Sequence, residues 1–208
     1  MLFQILGWSP QVNHVVLHYP FGAGGNFVKN CINLDPKYDS FWEQDRDTEL
    51  IDYYKDRSRK WLEREWDVRQ HLLPYYNVPV IKHMPDDKNI VFDCHGDQLE
   101  LEYWLENRNM DIKHIFILPD DIEWCAKMYR VKAGEDETDS IINHMERLPK
   151  IKQCLKIDNH YVAEELFESS KIIFSILDEV GCQYANETVE LCWSLWSEHS
   201  KELFKVNS

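Results

Sequence analysis

Positive charge is scarce in this sequence. Across 208 residues, 23 lysines and arginines stand against 37 aspartates and glutamates, a formal net charge of −14. Broad nucleic-acid binding needs a basic surface that displaces counterions, so no nucleic-acid partner is expected. An anionic membrane surface is excluded on the same ground. Glycine and proline are few, 7 and 8, which leaves no room for a low-complexity linker. No apolar run approaches the ~20 residues of a spanning helix. Residues 1–10 lack the basic and apolar regions of a signal peptide. No membrane partner is expected, therefore, and the expected address is the cytoplasm. The six cysteines (31, 94, 125, 154, 182 and 192) contain no C-x-x-C pair. That scatter favours reduced thiols over a disulfide framework and argues against structural zinc. No histidine or carboxylate spacing stands out as a metal site either.

What is present is a core. Apolar types make up 44% of the chain, enough for one domain, read here as 1–208. Three short β-branched runs read as strands: 14–19 (His-Val-Val-Leu-His-Tyr), 89–94 (Asn-Ile-Val-Phe-Asp-Cys) and 114–118 (His-Ile-Phe-Ile-Leu). Helical spacing follows each of them. Phe27, Val28, Cys31 and Ile32 come first. Leu101, Trp104 and Leu105 follow a cap of Asp97 with Glu100. Ile122, Cys125, Ala126 and Tyr129 follow a cap of Asp120 with Glu123. An acidic loop at 135–139 precedes short helices up to Lys156. Two further helices carry Ile172, Ile173, Ile176, Leu177 and Val180 up to Gly181, then Val189, Cys192, Trp193, Trp196, Leu203 and Phe204 from near Asn186. Between them, 40–88 holds a capping box at Ser40 and a long stripe of aromatic and leucine residues with no strand signal. Strands alternating with helices predict a small parallel sheet with many helices around it, the second half being helix-rich.

The turn after the first strand carries the chemistry. Phe21-Gly22-Ala23-Gly24-Gly25-Asn26-Phe27 has three glycines in four positions. Such a backbone turns tightly and aims successive N–H groups into one hollow, with a helix N-terminus behind it. This is an anion cradle, typically for phosphate. Asn26-Phe27 stands where a nucleotide-hydrolysing loop has Lys-Ser or Lys-Thr, and Phe27 where a dinucleotide fingerprint has its third glycine. A methyltransferase loop would want an acidic strand end before it, where Tyr19-Pro20 stands.

Tyr19-Pro20-Phe21-Gly22-Ala23-Gly24-Gly25-Asn26-Phe27 resembles the Pro-Lys-x-Gly-x-x 5′-phosphosulfate loop of sulfotransferases. Val91-Phe92-Asp93-Cys94-His95 resembles the strand end that carries the family's histidine base. Ile115-Phe116-Ile117-Leu118-Pro119-Asp120-Asp121 resembles the strand and turn that grip a 3′-phosphate, and 156–181 resembles the family's late strand–helix pattern. The resemblance implies a P-loop kinase-like α/β fold with 40–88 as a variable helical acceptor-side insertion. It implies 3′-phosphoadenosine-5′-phosphosulfate (PAPS) as donor and a small-molecule or glycan hydroxyl or amine as acceptor. The compact acidic form resembles sulfotransferase-like proteins of marine phages and bacteria, which would place a viral member in the host cytoplasm.

Under this resemblance Gly22, Ala23, Gly24, Gly25, Asn26 and Phe27 bind the donor. His95 is the first choice of base and His83 the second, since histidine titrates near neutral pH. The family's lysine, arginine and serine fall on Phe21, Ile117 and Cys125. Lys127 and Arg130, three apart on one helix, and Lys132 just beyond would then replace the missing 3′-phosphate cations. Lys29, one turn into the first helix, is a further candidate. Those three replacements also motivate a rival reading, a non-catalytic relative acting in binding or assembly. A methyltransferase is the weaker alternative.

Overall fold

A computed structural model describes residues 14–38, 46–55, 89–107, 112–133 and 136–206. The four strands among them are β1 (Val15–His18), β2 (Val91–Cys94), β3 (Lys113–Leu118) and β4 (Tyr161–Val162). All their pairings are parallel and the spatial order is β2-β1-β3-β4. An isolated parallel bridge between Tyr38 and Asn89 puts a segment from between β1 and β2 at the edge beyond β2. The strand before the glycine turn is therefore central, with later strands on both sides. This is the small parallel sheet with many surrounding helices that the sequence predicts. Parallel neighbours need crossover helices, and the chain supplies them: α1 (Gly25–Ile32), α2 (Arg46–Lys55), α3 (Gln98–Asn107), α4 (Ile122–Ala133), α5 (Thr138–Cys154), α6 (Ala163–Glu168), α7 (Ser170–Val180) and α8 (Asn186–Val206).

Side chains alternate across β1 and divide the core. Val15, Leu17 and Tyr19 face a large cluster built with α1, α2, α7 and α8, including Phe27, Tyr54, Ile176 and Trp196. Val16 faces a smaller one with Phe92, Phe116, Trp104 of α3, and Leu148 and Ile151 of α5. His18 shares that side, stacked on Phe116 at 4.1 Å between ring centroids and fully buried. Its Nε2 lies 2.9 Å from Nδ1 of His114. Burial holds the His18 pKa well below the ordinary range, with His114 adding to the effect, and burial lowers His114 to about 4.

Several local expectations are corrected. Leu105 is 52% exposed, so α3 buries Trp104 without it. The α4 cap is Asp121, one residue later than expected: its Oδ1 accepts from the N–H groups of Glu123 and Trp124. Ile122 consequently lies outside the core. One 17-residue helix, α5, replaces the expected short ones. Its inner face (Ile141, His144, Leu148, Ile151) keeps helical spacing through the exposed Pro149. The expected capping box at Ser40 and the stripe beyond residue 55 lie outside the described residues.

Candidate functional site

In open parallel sheets, ligands bind outside the carboxyl ends of the strands, beside the strand where the order reverses. Here that strand is β1, and its carboxyl end is the glycine turn. Gly22 and Gly24 have φ of 88° and 85°, which only glycine adopts without strain. Gly24 is also the N-cap of α1. Its carbonyl accepts from the N–H groups of Phe27 and Val28, and the Ala23 N–H is bonded to the Pro20 carbonyl. The N–H groups of Gly22, Gly24 and Gly25 have no protein acceptor among the described residues.

The remaining sides of the turn are packed. A Cβ on Gly22 would lie 2.5 Å from the Cys125 carbonyl of α4, and one on Gly24 3.1 Å from the Trp196 ring of α8. A Cβ on Gly25 would lie 2.3 Å from the Tyr19 ring. The Tyr19 hydroxyl is 3.0 Å from Oδ1 of Asp93 and 3.1 Å from Oδ1 of Asn26. The hydroxyl is the donor to both oxygens, its one proton shared between the Asp93 carboxylate and the Asn26 carbonyl. Lys29 completes the group, its Nζ 2.5 Å from Oδ2 of Asp93 with both side chains less than one-fifth exposed.

His95 follows β2 directly. Its Nδ1 is 3.0 Å from the Tyr19 carbonyl. A carbonyl only accepts, so Nδ1 carries the proton and Nε2 holds the lone pair of the neutral ring. Phe21 packs on it at 4.7 Å and on His144 of α5 at 4.8 Å. Nδ1 of His144 is buried and has no partner among the described residues. Burial, with the neighbouring His95 adding, lowers the His144 pKa to about 4.

The adjacent turns differ from the glycine turn. After β2, the N–H groups of Gly96 and Asp97 both donate to Oε2 of Glu100, at 2.6 and 2.9 Å. In return Asp97 Oδ1 accepts from the Glu100 N–H, at 2.8 Å, so the pair is the reciprocal cap that the sequence predicts. Burial, with Asp97 adding, pushes Glu100 up to about 7. After β3, the N–H groups of Asp120 and Asp121 donate to the two carboxylate oxygens of Glu164, at 3.2 and 2.9 Å.

Not all the sequence candidates meet here. Gly22, Gly24, Gly25 and His95 do. Ala23 and Phe27 are core residues, Phe27 stacking on Trp196 at 4.3 Å. Asn26 is held by Tyr19. Lys127 lies about half a turn around α4 from Cys125 and Tyr129, the residues that approach Gly22, and Arg130 about a third of a turn. They line a separate cleft of about 800 Å³ with Trp124 and Phe204. Lys127 sits over the Phe204 ring at 4.4 Å, and Arg130 pairs with Asp136 at 2.8 Å. His83 and the Lys132 side chain lie outside the described residues. Tyr19, Asp93, Glu164 and His144 were not anticipated. Of these, only Asp93 carried a signal, as an acid near the end of a predicted strand.

No protein-family model matches the chain, and no curated protein or solved structure matches it.

Proposed function

We propose that the chain binds a donor through a terminal phosphate or phosphosulfate at residues 22–25 and transfers a group from it to a hydroxyl acceptor, in the manner of the sulfotransferases its loop resembles. One observation carries this reading. The amides of Gly22, Gly24 and Gly25 lack a protein acceptor among the described residues, whereas those of both adjacent turns are bonded to carboxylates. Unmatched N–H groups before a helix N-terminus favour an anion. A donor of this class would supply the group transferred. The chain itself holds the anionic end by main-chain N–H groups and takes the acceptor's proton at Nε2 of His95, with the ring oriented by the Tyr19 carbonyl.

PAPS fits in part. Its 5′ end suits the glycine turn. Its 3′-phosphate is not matched by Lys127 and Arg130, which face another cleft. A second reading, ligand binding without transfer, is favoured by the pairing of Lys29 with Asp93, which neutralises a cation one turn into the helix after the loop.

Titrating ¹⁵N-labelled protein with inorganic phosphate and sulfate tests the site. The Gly22, Gly24 and Gly25 amide resonances should move together and saturate. Unmoved resonances refute the site. Transfer from a labelled donor to a panel of alcohols, abolished in His95→Ala, separates catalysis from binding alone.

A further inference from the structure

His95 is held from two sides. Its Nδ1–H donates to the Tyr19 carbonyl at 3.0 Å. On the other side, Oε2 of Glu100 accepts from the N–H groups of Gly96 and Asp97 at 2.6 and 2.9 Å. The Gly96 N–H belongs to the same peptide group as the His95 carbonyl, so Glu100 grips the backbone of His95 itself. The turn has little room to adjust. Gly96 has φ of 84°, and a Cβ on it would lie 2.8 Å from the Leu148 side chain and 3.2 Å from the His144 carbonyl, both of α5.

Glu100 brings more than a cap requires. Glutamine at this position of a capping box makes the same amide bonds without taking a charge out of water. Glu100 is 5% exposed. The titratable groups facing it are the Asp97 carboxylate on the same turn and the Cys94 thiol of β2, whose S–H bonds to it. From α5, His144 faces His95 and Asp97 across the same turn. No cation pairs with Glu100 among the described residues. Two amides favour its charged form, while burial and Asp97 favour the neutral one, and the balance falls at about pH 7. An ionised carboxylate accepts amide bonds roughly twice as strong as a neutral acceptor does.

We infer that Glu100 is a positioning residue for His95: its charged carboxylate clamps the turn that presents the ring, and uptake of a proton by Glu100 loosens the clamp. What the clamp serves rests on the role of His95 proposed above, whereas the clamp itself does not. The turn is firmest where a histidine base is neutral and able to accept a proton, and it slackens where the ring is already charged.

Titration of ¹⁵N-labelled protein across neutral pH, about 5.5 to 8.5, with no ligand added, is the test. In the wild type the Gly96 and Asp97 amide resonances should move with an inflection near pH 7. Glu100→Gln is neutral at every pH and should lose that inflection. His95→Gln should keep it, which separates Glu100 from the titration of the ring. At about pH 8, hydrogen exchange at these two amides should be about fivefold faster in Glu100→Gln than in the wild type. The ring ¹⁵N shifts of His95 should show the Nδ1–H form in the wild type and a smaller share of it in Glu100→Gln. Gly96 and Asp97 amides without an inflection, or with one that survives in Glu100→Gln, overturn the clamp. A His95 tautomer identical in the two proteins overturns the positioning role. No donor enters these measurements, so a glycine turn that fails to bind phosphate refutes the proposed function and leaves the clamp standing.

Discussion

Acidification should destabilise this protein from about pH 6.5 downwards, before ordinary carboxylates titrate. His114 and His144 each have a pKa near 4 against 6.5 for an exposed histidine. Below pH 6.5 the unfolded chain therefore binds protons that the fold refuses. The stability they contribute is full above 6.5 and is lost as the pH falls towards 4. Each gap corresponds to about 3 kcal/mol. Glu100 works the other way. Its pKa is about 7 in the fold against 4.5 outside it, so the fold takes up that proton first as the pH falls from 7 to 4.5. It offsets roughly one histidine. His18, shifted in the same sense as His114, adds to the loss. The net fall between pH 7 and pH 4 is on the order of 3 kcal/mol or more, against a typical total of about 5–15 kcal/mol. Urea unfolding followed by tryptophan fluorescence across this range measures it. His144→Phe removes a titrating ring beside Phe21 without breaking a described hydrogen bond, and should flatten the slope by up to about 1.4 kcal/mol per pH unit. Glu100→Gln should steepen it. A stability that is flat from pH 7 to 4.5, or a slope untouched in His144→Phe, refutes the reasoning.

Two further outcomes follow from the packing around the glycine turn. Gly25→Ala should cost about 2–3 kcal/mol, because the new methyl meets the Tyr19 ring and that ring is tethered through its hydroxyl to Asp93; thermal unfolding at wild-type values would contradict the contact. Asp93→Asn leaves the Lys29 ammonium without its counter-charge and should cost about 2–4 kcal/mol, while Lys29→Met combined with Asp93→Asn should recover much of it. Additive losses in that double-mutant cycle would show that the pair is not coupled.

The strands were legible because β-branched and aromatic residues concentrate in runs too short for helices, and β1, β2 and β3 fall within a residue or two of those runs. The ends of α7 were legible for a local reason as well, since Gly181 takes the left-handed conformation that closes the helix. Elsewhere long-range contacts decided. Asp120 and Asp121 are equivalent as caps by type. Glu164, more than 40 residues away, binds both of their amides and leaves the Asp121 side chain to cap. Periodicity puts Lys127 and Arg130 on one side of α4, but the close approach of Gly22 to Cys125 determines that this side looks away from the loop. As a sequence motif the three glycines fit a phosphate loop or a plain strand-to-helix turn. Packing against Cys125, Trp196 and Tyr19 demands them too, and one sequence cannot separate the two demands.

Trp196 closes over Gly24 and stacks on Phe27, while Trp193 and Ser197 of the same helix bond to the Leu166 and Phe167 carbonyls. The turn is thus shaped by a helix that lies more than 150 residues later in the chain. A nascent chain halted before residue 186 would carry the glycines without the indole that seats them. The final shape of the turn would then arrive abruptly once that helix has been made, rather than build up with length.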